Sequence, residues 1–437
     1  MSASKSAIPA LPMRTGWRST VASLCHPSAR SPHIVSGSLI MLVGSGVVSA
    51  GNFGYNLLIA RLLGPADFGH TTAIGTLLML ASAITLSFQL VCAKFVARDE
   101  TVAGKAQVYR SLRRRAWIVG FALGTALVLL SAPLSSYLRL PSSSLVILMG
   151  AGLAFYVPLG VKRGGLQGTY AFGRLSGNLI LEVVVKLVGA VVLVETGWGV
   201  NGAVAALALS VILAYFYPLR DRLLEPEPAG SIPASFGEGM QAIVFFVGQV
   251  VINNIDIVLV KHWFHPEDAG LYAAASLAGR VVYLASWSVI SVMFPVSAGQ
   301  KARERSPALL VAPMLLVLFI CVGFILTMQC APGPVLRLLF GTSFSSVAPL
   351  LALYASATSA YSLSVVLIAF EMSQKIANTG WLQLVFAGLV IAGISFFHAT
   401  LRQVVVVQLI VRVGLLIAVA SPFFGAKHAL SRAQEAA

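Results

Sequence analysis

Residues 38–96 read SLIMLVGSGVVSAGNFGYNLLIARLLGPADFGHTTAIGTLLMLASAITLSFQLVCAKFV. Two apolar runs flank the turn Gly64-Pro65-Ala66-Asp67-Phe68-Gly69. Crossing a bilayer core takes about 20 residues at about 1.5 Å each, and both runs are that long. Strand alternation is absent, and a continuous apolar run in lipid satisfies its backbone groups only as a helix. The stretch therefore reads as a helical hairpin that crosses a membrane twice, and a β-barrel is excluded.

The rest of the 437-residue chain repeats this pattern. Hydrophobic residues make up 57% and charged residues 10%, too few charges to cover a water-facing surface, which carries about 25% in soluble proteins. Beyond the opening hairpin, runs over 116–137, 145–161, 175–194, 200–217, 239–260, 270–296, 308–330, 347–370, 381–397 and 404–423 bring the expected spans to about twelve. The expected fold class is an all-α polytopic membrane protein.

The net charge of +15 invites a nucleic-acid reading, but no soluble basic face is available to carry it. The basic residues sort by loop instead. Alternating loops hold 22 Lys and Arg, Lys162 and Arg163 among them, and the opposite loops hold five: Arg61, Arg139, Lys261, Arg337 and Arg402. Under the positive-inside rule this asymmetry puts both termini in the cytoplasm. A polar, Pro-rich break at 218–235 then divides a first lobe (34–217) from a second (236–424). A basic arm at 1–33, expected to be disordered, and a tail at 425–437 complete the predicted organisation.

The halves share a pattern at a constant offset of 201. Gly64-Pro65-Ala66-Asp67-Phe68-Gly69 matches His265-Pro266-Glu267-Asp268-Ala269-Gly270, Asn52 meets Asn253, and Pro133 meets Pro334. A Pro-x-Asp-x-Gly sequence also serves as a tight turn with an acidic helix cap, so a turn motif alone is the competing explanation. Six spans per half give parallel repeats related by an axis along the membrane normal, with a site between them near mid-membrane.

At these residues the chain resembles a known family. The stretch from Asn56 through Gly69, the run Arg163-Gly164-Gly165-Leu166-Gln167-Gly168 with Phe172 and Leu175, and Asn254-Ile255-Asp256 with Lys261 and residues 266–272 are similar to Wzx-like polysaccharide biosynthesis proteins. These belong to the multidrug/oligosaccharidyl-lipid/polysaccharide flippase superfamily. The resemblance implies two six-helix lobes around a central cavity, alternating access, and transfer of an undecaprenyl-pyrophosphate-linked oligosaccharide between leaflets. It implies no cofactor. A polysaccharide polymerase or glycosyltransferases are the expected protein partners, beside the lipid bilayer itself.

Ionisable residues inside spans cost at least about 2.5 kcal/mol each at the helix centre and are site candidates for that reason. Glu182 and Lys186 lie four residues apart on one helix face, as an internal ion pair would. Asp256 and Arg280 fall on adjacent antiparallel spans within reach of each other. Arg412 has no evident local partner. Arg412, Arg280 and Lys186, with Asn253 and Asn52, are the candidate substrate-binding residues, because a guanidinium fork matches phosphate oxygens. Asp256 and Glu182 are the candidate ion-coupling residues.

Other chemistry is sparse. Cys25, Cys92, Cys321 and Cys330 lack metal-ligand spacing, and the Gly164 to Gly168 stretch lacks the Lys-Ser/Thr of a phosphate loop. Neither a catalytic triad nor a metal site is expected. Two rival readings stand beside the flippase: a multidrug or small-molecule antiporter of the same superfamily, and a non-transporting scaffold for polysaccharide assembly.

Overall fold

The computed structural model describes residues 32–99, 101–217, 240–298, 308–374 and 379–435. The expected linker at 218–235 and nearly all of the basic arm lie outside these residues. Every regular element among the described residues is helical.

In the first half these are α1 (Pro32–Arg98), α2 (Val102–Leu129), α3 (Ser131–Tyr137), α4 (Ser144–Gly168), α5 (Phe172–Leu193) and α6 (Gly199–Phe216). In the second they are α7 (Met240–Trp263), α8 (Pro266–Gly279), α9 (Val281–Ala298), α10 (Ala308–Cys330), α11 (Pro332–Leu339), α12 (Ala348–Gln374), α13 (Leu382–Phe396) and α14 (Leu401–Glu435).

Among the described residues, eight helical segments are long and apolar enough to cross a membrane. Two of them are broken in the middle. Gly64 takes φ 77 inside α1, where Pro65 starts a second limb, and a single π turn, Val194–Trp198, with Gly197 at φ 91 joins α5 to α6. Positive φ is open to glycine at no steric cost, so these residues fold one long apolar stretch into a hairpin. With α2 bent from α3 by 64° and the shorter apolar α13, the limbs are compatible with twelve crossings.

Three boundaries differ from the sequence reading. Thr101 accepts a hydrogen bond from the Gly104 amide and starts α2 early, so Arg113, Arg114 and Arg115 lie on a helix rather than in a loop. α4 runs on through Lys162, Arg163 and the following glycines to Gly168. α7 continues through Lys261 and His262.

The α4 extension has a packing cause. A Cβ at Gly160 would meet the Thr85 carbonyl at 2.6 Å, at Gly164 the Gln89 carbonyl at 2.4 Å, and at Gly168 the Ala93 carbonyl at 2.8 Å. The spacing of four on both helices is a small-residue stripe that brings two backbones together, the recurring solution for helix contact in lipid. The glycines that resembled a loop are therefore a helix interface.

The fold repeats itself across the halves. Pro133 lies in α3 and Pro334 in α11, two short helices that each follow a long span, and Pro65 and Pro266 each open the limb after a turn. One buried apolar cluster joins first-half residues such as Ile59, Phe68, Ile74 and Leu207 to second-half residues such as Leu271, Ala274, Phe340 and Leu351. A second cluster lies within the second half, and a third within the first, around Cys92 and Leu112.

Candidate functional site

Each half carries a buried polar network. In the first half, α4 delivers Arg163 into the interior, where it is 7% exposed. Its Nε donates to Asn178 Oδ1 at 2.8 Å and its Nη2 pairs with Glu182. Asn178, fully buried, donates in turn to the Ala214 carbonyl at 2.7 Å, tying α5 to α6. Lys186 donates to Asn52 Oδ1 on α1 and lies 5.3 Å from the Tyr55 ring centre. The expected Glu182–Lys186 pair is thus opened outward: Glu182 binds Arg163 of one neighbouring helix and Lys186 binds Asn52 of another.

The second network centres on Asp256, which is completely buried on α7. Arg280 Nη2 reaches one carboxylate oxygen at 3.1 Å. The hydroxyls of Tyr272 and Tyr354 donate to the other at 2.8 and 2.9 Å. Every one of these neighbours presents a donor, the pattern that an ionised carboxylate needs. Since Tyr354 spends its proton on Asp256, Ser276 at 2.8 Å must donate to Tyr354. Gln408 donates to Tyr272, which brings α14 into the same network.

Arg280 also donates to Asn254 at 3.0 Å. It stands at the junction between α8 and α9, the interrupted geometry that accompanies binding sites in transporters.

Arg412 belongs to this network through Tyr354. It is 1% exposed, and its guanidinium carbon lies 5.9 Å from the Tyr354 ring centre and 5.7 Å from that of Tyr361. It donates to the Ile252 carbonyl at 3.3 Å and reaches the Thr358 hydroxyl at 3.5 Å. The structure therefore collects Asp256, Arg280 and Arg412 in the second half, and Asn52, Glu182 and Lys186 in the first. Asn253, beside Ile252 on α7, is buried and donates to the Gln249 carbonyl at 3.0 Å.

Across the two networks four cations, Arg163, Lys186, Arg280 and Arg412, stand against two carboxylates, Glu182 and Asp256. Sequence reasoning left Arg163 in a loop because it adjoins polar and glycine residues; the stripe at Gly160, Gly164 and Gly168 was the signal that the helix continues. Lys162, placed in the same loop, donates to the Tyr215 and Tyr217 carbonyls at the end of α6. Tyr272, Tyr354 and Tyr361 were also missed, since a tyrosine in an apolar run looks like any other aromatic. His262 lies in the last turn of α7 and stacks on Tyr137 with ring centres 3.8 Å apart. Among the described residues no group of His, Cys, Asp and Glu is arranged to hold a metal.

Comparison with known proteins agrees with this architecture. A search of curated protein sequences finds no match. Among solved structures the chain is similar to an inward-facing multidrug resistance MATE family transporter of the MOP superfamily, with TM-score 0.69, 14% identity, and 89% of this chain and 96% of that one covered. A MATE structure in complex with MaL6 aligns with TM-score 0.59 and 15% identity over 92% of this chain and 97% of that one. At such identity the likeness establishes the fold. The family model for polysaccharide biosynthesis proteins matches residues 58–349, two thirds of the chain, which takes in both hairpin turns and Arg163, Glu182, Lys186, Asp256 and Arg280, but leaves Asn52, Tyr354 and Arg412 outside. The protein is a multi-pass membrane protein with the MATE transporter fold, and it belongs to the polysaccharide biosynthesis protein family.

Proposed function

We propose that the protein moves a polyprenyl-pyrophosphate-linked oligosaccharide, of the undecaprenyl type, across the plasma membrane by alternating access. The observation that carries this reading is the set of four cations against two carboxylates gathered in the two networks, within a family of polysaccharide biosynthesis proteins. In a low-dielectric interior a charge acts over many ångströms, so a pyrophosphate between the halves feels Lys186 and Arg163 from one side and Arg280 and Arg412 from the other.

Arg280, the more exposed partner of its ion pair at 19%, makes the direct contact, with Arg412 behind it through Tyr354. Asn52 and Asn253 offer hydrogen bonds to sugar hydroxyls. A multidrug carrier for cations would reverse the balance and present uncompensated carboxylates.

Asp256 is the coupling residue in this reading, and Glu182 the second candidate. A proton or cation arriving at Asp256 competes with donors that hold α7, α8 and α12 together, which links its occupancy to helix positions. The lobes extend over 34–217 and 236–424, with both termini in the cytoplasm. The chain acts as a carrier rather than an enzyme, beside the glycosyltransferases and polymerase that build and extend its cargo.

The test uses a host in which this gene is deleted and complemented. Arg412→Ala at normal protein level is expected to stop surface polysaccharide and to accumulate the lipid-linked intermediate on the cytoplasmic leaflet. Normal export by that variant removes Arg412 from the site. Drug resistance that rises with expression while polysaccharide stays unchanged favours the multidrug antiporter instead.

A further inference from the structure

The repeat at offset 201 has a structural consequence that the transport chemistry does not use. Arg61, near the end of the first limb of α1, donates from Nε to the Leu339 carbonyl at 2.9 Å and from Nη2 to the Leu338 carbonyl. These carbonyls end α11 in the other half, where a cation is favoured by the helix dipole. Adding 201 to Arg61 gives His262, and subtracting 201 from Leu338 gives Tyr137. These two also touch: His262 Nδ1 lies 2.8 Å from the Tyr137 carbonyl, and their rings stack with an interplanar angle of 8°. A carbonyl only accepts, so Nδ1 carries the proton in this contact. When residue i of one half meets j of the other and their repeat equivalents meet in the reverse sense, the surfaces are related by a twofold axis.

The axis passes between the two Pro-x-Asp-x-Gly segments. A Cβ on Gly69 would sit 2.8 Å from the Gly270 amide nitrogen and 2.8 Å from the Pro266 carbonyl, and one on Gly270 would sit 1.7 Å from the Pro65 carbonyl. Equivalent backbones are therefore in direct contact, and only hydrogen fits between them. Phe68 packs beside this crossing against Phe340 and Phe344, with ring centres 6.3 and 5.9 Å away.

We propose that the repeated Pro-x-Asp-x-Gly segments form a pseudo-twofold latch that shuts one end of the path between the halves and opens during each transport cycle. The proposal rests on the transporter reading above. The contacts suit such a device: each hydrogen bond contributes about 1 kcal/mol net, the glycine crossing sets backbone against backbone, and beside it the aromatic contact is Phe68 against Phe340 and Phe344, so closure is specific yet reversible. Because the arms are related by symmetry, opening one releases the other.

The deciding experiment uses the full-length chain in membranes with its four cysteines replaced by serine. Two pairs are made separately, Arg61→Cys with Leu338→Cys and Tyr137→Cys with His262→Cys, and each is bridged by a short bifunctional methanethiosulfonate. Both pairs are expected to bridge, each bridge alone stops export, and a reductant restores it. Bridging of one pair without the other, or full bridging with export continuing in a host where loss of the protein stops export, overturns the latch.

If the paired variants fail to accumulate, Gly69→Ala in a chain carrying Ala274→Cys decides. Ala274 is fully buried near the crossing, and its labelling by a membrane-impermeant thiol reagent from the latch side is expected to speed up about tenfold, equivalent to about 1.4 kcal/mol toward the open state. An unchanged rate overturns the proposal. Bridging and labelling read conformation without any substrate, so a latch that behaves as described in a protein whose loss leaves polysaccharide intact sinks the substrate reading alone.

Discussion

Asp256 is the residue on which the second half turns. It is wholly buried and accepts from Arg280, Tyr272 and Tyr354 at once. Removing one partner of a buried pair costs about 3 to 5 kcal/mol, because the other charge is left uncompensated. Asp256→Asn is therefore expected to lower the thermal unfolding temperature in detergent as well as transport, whereas Asp256→Glu keeps the charge and recovers part of both. Equal stability of wild type and Asp256→Asn would mean that the network contributes nothing to the fold.

Lys261 poses the opposite problem. It is 1% exposed, its Nζ has no hydrogen-bond partner, and of the two first-half charges within electrostatic reach the repulsive Arg139 outweighs the attractive Asp67. Opening the halves would hydrate this ammonium, so its burial works against closure. Lys261→Met is expected to slow labelling of Ala274→Cys, the reverse of Gly69→Ala, and faster labelling would contradict that role. Sequence position alone put Lys261 in a loop. Only the continuation of α7 and the approach of the first half bury it.

The informative element is α4. Its first half is plainly apolar, but its last turns contain Lys162, Arg163 and four glycines, a composition that reads as a loop by itself. The helix persists because Gly160, Gly164 and Gly168 lie against the second limb of α1 at backbone distance, and that contact carries Arg163 to Glu182. Gly164→Leu is expected to unseat the pair. Overpacking a tight interface costs about 1 to 3 kcal/mol, which would appear as a lower unfolding temperature together with reduced export. A variant as stable as wild type would show that the stripe is not a close contact. The hairpin turns, by contrast, were legible because Gly64-Pro65 and Glu195 to Gly199 interrupt apolar runs with residues suited to positive φ.

At the scale of the molecule, the charge asymmetry of the loops predicts its orientation. Reporters fused at residue 437 and in the 218–235 break are expected to report cytoplasm, and one inserted between α13 and α14 the outside; the reverse would invert the side on which the latch lies. Among the described residues, Lys162, Arg163 and Lys261 were expected in loops and are instead buried by the tertiary structure.

The sequence by itself determined the helical membrane class and the hairpin turns, and it raised the expectation of a repeat at offset 201. Each follows from local constraints: a bilayer demands long apolar helices, a sharp reversal demands glycine and proline, and duplicated segments keep their spacing. What only the tertiary structure decided is the pairing of charges. Glu182 turns from Lys186 to Arg163, Arg412 settles between two tyrosine rings, and Gly69 meets Gly270. Ion pairs and backbone crossings depend on which helices become neighbours, and in an interior where nearly every residue is apolar the one-dimensional pattern carries little information about that choice.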